Sequence, residues 1–264
     1  MTSINRSVLV TGGGTGIGRA AALALTAAGT GVTLVGRRSE PLRAVADEIE
    51  ALGGQALPLA LDMAAEGSAA EAVAAARRRF GRLDAAFNNA GIEGAFVPIE
   101  TLSLAEFDAT MAVNLRGAWL ACRAQMPAMR EDGGGAIVVT SSWLAVGAFP
   151  GSSIYSASKA ALDGMVRALA LEGAPGDVRV NAVNPGIIDT PMFRRFADDE
   201  AARPFIDHTP AARLGTPEDV GDVVAWLCSD AARFVTGQSL VLDGGYTIPG
   251  HRPWLYGAVA PTLT

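Results

Sequence analysis

The chain has 264 residues, half of them hydrophobic and only 18% charged, enough apolar material for one large core of the kind that single α/β domains build. A net charge of −6 argues against a nucleic-acid partner, and the leading "MTSINRSVLVTGGG" reaches an apolar run too soon to hold a basic segment, an apolar stretch and a cleavage site. The longest uncharged run, between Asp132 and Lys159, is broken by glycines, Pro150 and serines, so no membrane span is read and a soluble cytoplasmic protein is expected.

Short β-rich runs alternate with alanine-rich helical stretches along the chain. The expected strands are "SVLVT" (7–11), "GVTLVG" (31–36), "ALPLALD" (56–62), "LDAAFNN" (83–89), "GAIVVTSS" (135–142), "VRVNAVNPG" (178–186) and "QSLVLDGG" (238–245). Most are continuous apolar runs, as strands buried on both faces of a parallel sheet require. Helices are expected between them, including 105–129 and 154–173. "SLAE" at 103–106 reads as a capping box, and Thr216 followed by Pro217, Glu218 and Asp219 reads as a second helix start. The run "ARRRFGR" at 76–82 fits the solvated end of a helix, where cations complement the dipole.

This alternation, with right-handed crossovers, predicts one Rossmann-type doubly wound parallel sheet of about seven strands, flanked by helices on both faces. Its ligand crevice then lies at the carboxyl ends of the strands. One domain is expected over 1–246, with a long charged and Phe-rich connection at 190–215 serving as a substrate loop and a tail at 247–264. The tail is read either as a disordered end or as an arm packed on a neighbour through Trp254, Leu255 and Tyr256.

Cys122 and Cys228 stand in apolar sequence without metal-ligand spacing and read as buried free thiols. His208 and His251 each stand alone, and no metal site is expected.

"TGGGTGIG" at 11–18 ends a strand and opens a helix, where backbone N–H groups and a helix N-terminus can hold a pyrophosphate. The strict GxGxxG spacing is absent; the glycines fall at Gly12, Gly16 and Gly18, and glycine-rich turns also arise for purely conformational reasons. At the end of the second strand, where an acid would accept the ribose hydroxyls of NAD, stands Gly36, followed by Arg37 and Arg38. Arginine there suits the 2′-phosphate of NADP, so NADP(H) is favoured with NAD(H) as the alternative, although both arginines also read as solvated loop residues.

Lys159 is the only lysine in the chain. It follows Tyr155 by four residues, so on a helix both leave one face. A phenol is a poor base at neutral pH, but a nearby ammonium favours its phenolate and brings it toward the working range. Ser142 ends a buried strand thirteen residues before Tyr155. Ser141, on the opposite face of that strand, reads as structural. Asn114 reads either as a satisfied internal polar group or as part of the site.

Taken together, "TGGGTGIG", "NNAG" at 88–91, Asn114 in "VNLRG", "SS" at 141–142, "YSASK" at 155–159 and "NPGIIDT" at 184–190 resemble the classical short-chain dehydrogenase/reductase family over roughly residues 5–246. The resemblance implies that Gly12, Gly16, Ile17 and Gly18 surround the cofactor phosphates and ribose; Thr15 is a further candidate in the same loop, and Arg37 and Arg38 are placed at the 2′ position by the charge argument alone. The resemblance places Asp62 and Met63 near the adenine, Asn89, Ala90 and Gly91 beside the adenosine, and Pro185, Gly186, Ile188 and Thr190 toward the nicotinamide. It makes Asn114, Ser142, Tyr155 and Lys159 the catalytic set, with Tyr155 and Lys159 also touching the cofactor and Asn114 linking Lys159 to solvent through water. The implied reaction is hydride transfer between a nicotinamide and a carbonyl or secondary alcohol. Within the resemblance, the Tyr-to-Lys spacing is unlike that of enoyl reductases and the glycine spacing unlike that of the sugar-modifying extended branch.

Trp143, Phe149, Met192, Phe193 and Phe196, with Phe96, are the candidate substrate wall, and each is also acceptable as plain core. An apolar wall suits a hydrophobic or cyclic small molecule. Arg194 and Arg195 read as exposed loop cations or as partners for an acidic group. The alternative function is a non-catalytic dinucleotide-binding scaffold of the same fold. Excess apolar surface on the helices at 105–129 and 154–173, together with the resemblance, predicts a homotetramer, a dimer of dimers, with a dimer as the alternative.

Overall fold

The structure is a computed structural model that describes residues 5–27 and 29–248. All seven apolar runs become strands: β1 (Arg6–Thr11), β2 (Thr30–Gly36), β3 (Gln55–Ala60), β4 (Ala85–Asn88), β5 (Gly135–Thr140), β6 (Val178–Pro185) and β7 (Ser239–Leu242). They form one sheet in the order β3-β2-β1-β4-β5-β6-β7, with every pairing parallel. Parallel register sets Val8 beside Val32 and Val10 beside Phe87, all fully buried, because helices cover both faces of these strands.

The helices are α1 (Gly16–Ala24), α2 (Ser39–Ala51), α3 (Ser68–Phe80), α4 (Leu104–Met111), α5 (Ala118–Glu131), α6 (Ser153–Gly173), α7 (Asp199–His208) and α8 (Pro217–Cys228). Two apolar cores sandwich the sheet. One is built from α3, α5 and α6 with residues such as Met129, Ile137 and Leu162. The other comes from α1, α2 and α8 around Leu34, Ile49 and Leu227. Small residues let α1 and α8 approach closely, since a side chain at Gly221 would meet the Ala20 carbonyl carbon at 2.9 Å.

Both expected helix starts form. Ser103 and Glu106 exchange the two bonds of a capping box on α4, and Thr216 and Asp219 do the same on α8 with Pro217 in the first turn. The arginines 77–79 occupy the last turn of α3, where Arg77 pairs with Glu131 and Asp132. The stretch expected to be one helix at 105–129 is interrupted by a π turn over Ala112–Gly117 between α4 and α5. Such turns occur often at functional sites, and this one carries Asn114. The 190–215 connection folds into a short 3-10 turn and α7. The two cysteines are buried free thiols, and burial pushes Cys122 up to about 12 and Cys228 to about 11. The expectations for Trp254, Leu255, Tyr256 and His251 lie outside the described residues. No helix among the described residues is long and apolar enough to cross a membrane.

Candidate active site

Strand order reverses between β1 and β4, which opens a crevice at the carboxyl edge of the sheet. A cavity of about 820 Å³ lies there. Of the predicted cofactor residues, Gly12, Thr15, Gly16, Ile17, Asn89, Ala90, Gly91, Tyr155, Lys159, Pro185, Gly186, Ile188 and Thr190 line it. Gly18, Arg37, Arg38, Asp62 and Met63 do not. Gly18 is buried beneath the glycine loop, where a Cβ would lie 2.1 Å from the Gly12 carbonyl oxygen, so its requirement is close packing. Arg37 and Arg38 are exposed after β2 and have no ion-pair partner among the described residues. Asp62 is exposed and accepts from the Ala64 N–H, while the Met63 side chain belongs to the core.

The glycine loop suits a diphosphate by its own construction. Thr15 precedes α1 without making a side-chain cap, and the first turn holds no acid, so the helix N-terminus keeps unsatisfied donors at the cavity wall. Gly16 has φ +52° and faces Thr190, whose Cγ2 would lie 3.3 Å from an added Cβ. A side chain there would narrow the cradle. These features fit a dinucleotide.

The loop after β4 is held by two buried side chains. Thr11 Oγ1 accepts from the N–H groups of Asn89 and Ala90, both at 3.0 Å. Asn114, 1% exposed, clamps Ile92 from both sides: its Oδ1 accepts from the Ile92 N–H at 2.8 Å and its Nδ2 donates to the Ile92 carbonyl at 2.9 Å. Nδ2 also reaches Ser158 Oγ at 3.2 Å. Asn114 is thus a satisfied buried amide that holds the loop after β4 and does not itself line the cavity.

Ser142, Tyr155 and Lys159 line the same cavity. Ser142 follows β5 and is buried, its Oγ accepting from the Leu144 N–H at 3.1 Å. Ser141 also borders the cavity, but its hydroxyl is engaged in donating to the Lys159 carbonyl at 3.0 Å, in keeping with a structural role. On α6, Lys159 Nζ lies 5.7 Å from the centre of the Tyr155 ring and donates to the Thr140 carbonyl at 2.8 Å. Burial pushes the Tyr155 phenol up to about 12; a hydrogen bond with Ser142 acts against that, and the charge of Glu93 adds to it. Burial lowers Lys159 to about 8, opposed by Asp163. The lowering of the phenol that the sequence leads one to expect from the Lys159 ammonium is not among these causes, and burial leaves the phenol protonated in this protein alone.

An aromatic wall shares the cavity with these groups. Trp143, Phe149, Met192, Phe193, Phe196 and Phe96 all face the cavity, Trp143 and Phe193 while nearly buried and the other phenylalanines while partly open. Phe96 packs 5.9 Å from the Tyr155 ring. Sequence reasoning missed Phe205 on α7, which touches the Phe149 and Phe193 rings, and Tyr246, whose ring is 4.9 Å from Trp143. Glu93, which lines the cavity and forms a two-bond pair with Arg195, carried no sequence signal. Arg194 instead pairs with Asp189 and Asp199, so both loop arginines meet acids of this chain itself.

Comparison with known proteins agrees with this architecture. A family model described as enoyl-(acyl carrier protein) reductase matches residues 12–247. The chain is 40% identical over 243 residues to cyclohexanol dehydrogenase of Acinetobacter sp. (strain SE19), covering 92% of this chain and 95% of that protein. It superposes on the crystal structure of levodione reductase with a TM-score of 0.88 and 37% identity, over 92% of this chain and 98% of that one. A 7α-hydroxysteroid dehydrogenase, solved with NADH and 7-oxo glycochenodeoxycholic acid, gives 0.87 and 31% over 92% and 95% of the two chains. The chain belongs to the short-chain dehydrogenase/reductase family. It is an oxidoreductase, and the non-catalytic scaffold alternative is not favoured.

Proposed function

We propose that this protein transfers hydride between NADP(H), in preference to NAD(H), and the carbonyl or secondary alcohol of a hydrophobic cyclic small molecule. The observation that carries the reading is the meeting of Ser142, Tyr155 and Lys159 in one cavity that joins the glycine loop to the aromatic wall. The relatives named for cyclohexanol and levodione support the substrate class, and exposed Arg37 and Arg38 beside Gly36 support the 2′-phosphate.

Gly12, Thr15, Gly16 and Ile17 would hold the diphosphate, Asn89 to Gly91 the adenosine side, and Ile188 and Thr190 the nicotinamide side. When bound, the nicotinamide supplies or accepts the hydride. Tyr155 gives its proton to the substrate oxygen in the reducing direction, and its raised pKa keeps that proton available. Ser142 donates a hydrogen bond to the same oxygen. In the oxidising direction Tyr155 must take a proton, and the Lys159 ammonium favours the phenolate that does so. Asn114 holds the Ile92 backbone and Ser158 in place beneath these groups and supports proton resupply to Lys159. The aromatic wall excludes water from the reacting carbon. The same reading places the protein in the cytoplasm, as a homotetramer, with no nucleic-acid, membrane or metal partner.

Purified protein is assayed by nicotinamide absorbance with NADPH, NADH, NADP and NAD against cyclohexanones, cyclohexanols and an enoyl thioester. Turnover of cyclic ketones or alcohols is expected. Turnover confined to the enoyl thioester, or none with any pair, would overturn the substrate reading.

A further inference from the structure

The interior holds a carboxylate that the chemistry above does not use. Asp163 is 7% exposed and follows Lys159 by four residues on α6, so the two side chains leave one face of the helix about 6 Å of rise apart. Asn184, fully buried near the end of β6, donates its Nδ2 to Asp163 Oδ2 at 2.9 Å. Asp163 forms no ion pair within 4.0 Å among the described residues. Its Oδ1 and Asn184 Oδ1 are both buried without a hydrogen-bond partner.

Packing alone does not account for an acid here. A buried carboxylate is normally ion-paired or saturated with donors, and this one has a single amide donor. An asparagine at 163 has the same shape, still accepts from Asn184 Nδ2, and brings an amide that can donate to the orphaned Asn184 Oδ1. The feature of Asp163 that an amide would not reproduce is its charge. That charge stands one turn from the only lysine of the chain, itself 4% exposed and hydrogen-bonded to one neutral carbonyl. The titratable groups around Lys159 are Tyr155 and Asp163 on α6 and, across the cavity, the Glu93–Arg195 pair. The strands and the π turn facing it contribute Thr140, Ser142, Asn184 and Asn114, all neutral.

We propose that Asp163 is a positioning residue for the active-site lysine: its carboxylate, pinned by Asn184, supplies the negative charge that holds Lys159 protonated at a buried position where desolvation disfavours its charge. The depressed Lys159, with Asp163 as the opposing charge, agrees with that role. The inference rests on the reading of Lys159 as the cation that acts on Tyr155, but its test does not depend on turnover. Because the chain has one lysine, protein grown on lysine labelled with 13C at Cε gives one side-chain signal that reports Lys159 directly.

The signal is titrated in wild type and in Asp163→Asn, alongside thermal melting and the pH profile of turnover. The expected result is a Lys159 pKa lower by about one unit or more in Asp163→Asn, the size typical of a lost opposite charge nearby. Melting is expected at or above wild type, and turnover is expected to fall further behind wild type as pH rises. An unchanged Lys159 titration would overturn the proposal, and so would an equal loss of turnover at every pH. A shifted titration in a protein that turns over no substrate would support the proposal while removing the carbonyl reading. Asp163→Ser gives the same comparison if Asp163→Asn does not fold.

Discussion

Thr11→Val keeps the size and branching of a side chain that is 2% exposed and removes only its hydroxyl. That hydroxyl accepts two backbone N–H groups, from Asn89 and Ala90, and so ties the loop after β4 to the end of β1. Each N–H left without a partner costs about 1–3 kcal/mol. Both residues are half-buried and water reaches part of the loop, which favours the lower end and a total of about 2–3 kcal/mol. For a chain of this size each kcal/mol moves Tm by about 2–4 °C, so a fall of roughly 4–12 °C is expected. The loop also lines the cavity, so nicotinamide cofactor binding weakens together with stability. Calorimetry at fixed protein concentration, with fluorescence titration of NADPH, measures both. Thr11→Ser keeps an acceptor and is expected to lose much less. A Thr11→Val protein that melts within 1 °C of wild type would show that the loop is held by something other than this hydroxyl.

Tyr155→Phe keeps the ring against Phe96 while removing the proton donor; kcat is expected to drop about 10²–10⁴-fold with cofactor affinity nearly kept, and substantial residual kcat in stopped-flow assays would refute the acid/base role. Arg37→Asp removes a cation and offers an acceptor to the ribose, so the ratio of kcat/KM for NADP over NAD should fall about tenfold or more. A wild type that already prefers NAD would contradict the charge argument. Leu104, Phe107 and Trp119 on α4 and α5, Leu171 on α6, and Trp226 and Phe234 near the end of α8 all expose large apolar surface. Light scattering is therefore expected to give a homotetramer, and a monomer at micromolar concentration would count against it.

The sequence by itself determined the seven strands, their parallel character and both capped helix starts, because each rests on local periodicity or on a motif a few residues long. It also singled out the residues from Gly12 to Ile17 and from Tyr155 to Lys159, whose roles depend on a turn or on helical spacing. Tertiary structure alone decided what depends on groups far apart in the chain. Asn114 takes its meaning from Ile92, Thr11 from Asn89, Arg195 from Glu93 and Asp163 from Asn184. It also set the protonation balance of Tyr155 and Lys159, since desolvation is fixed by what covers a group and not by what precedes it. Phe205 joined the aromatic wall, and Tyr246 came to pack behind it, only when α7 and the end of β7 came to the same edge of the sheet.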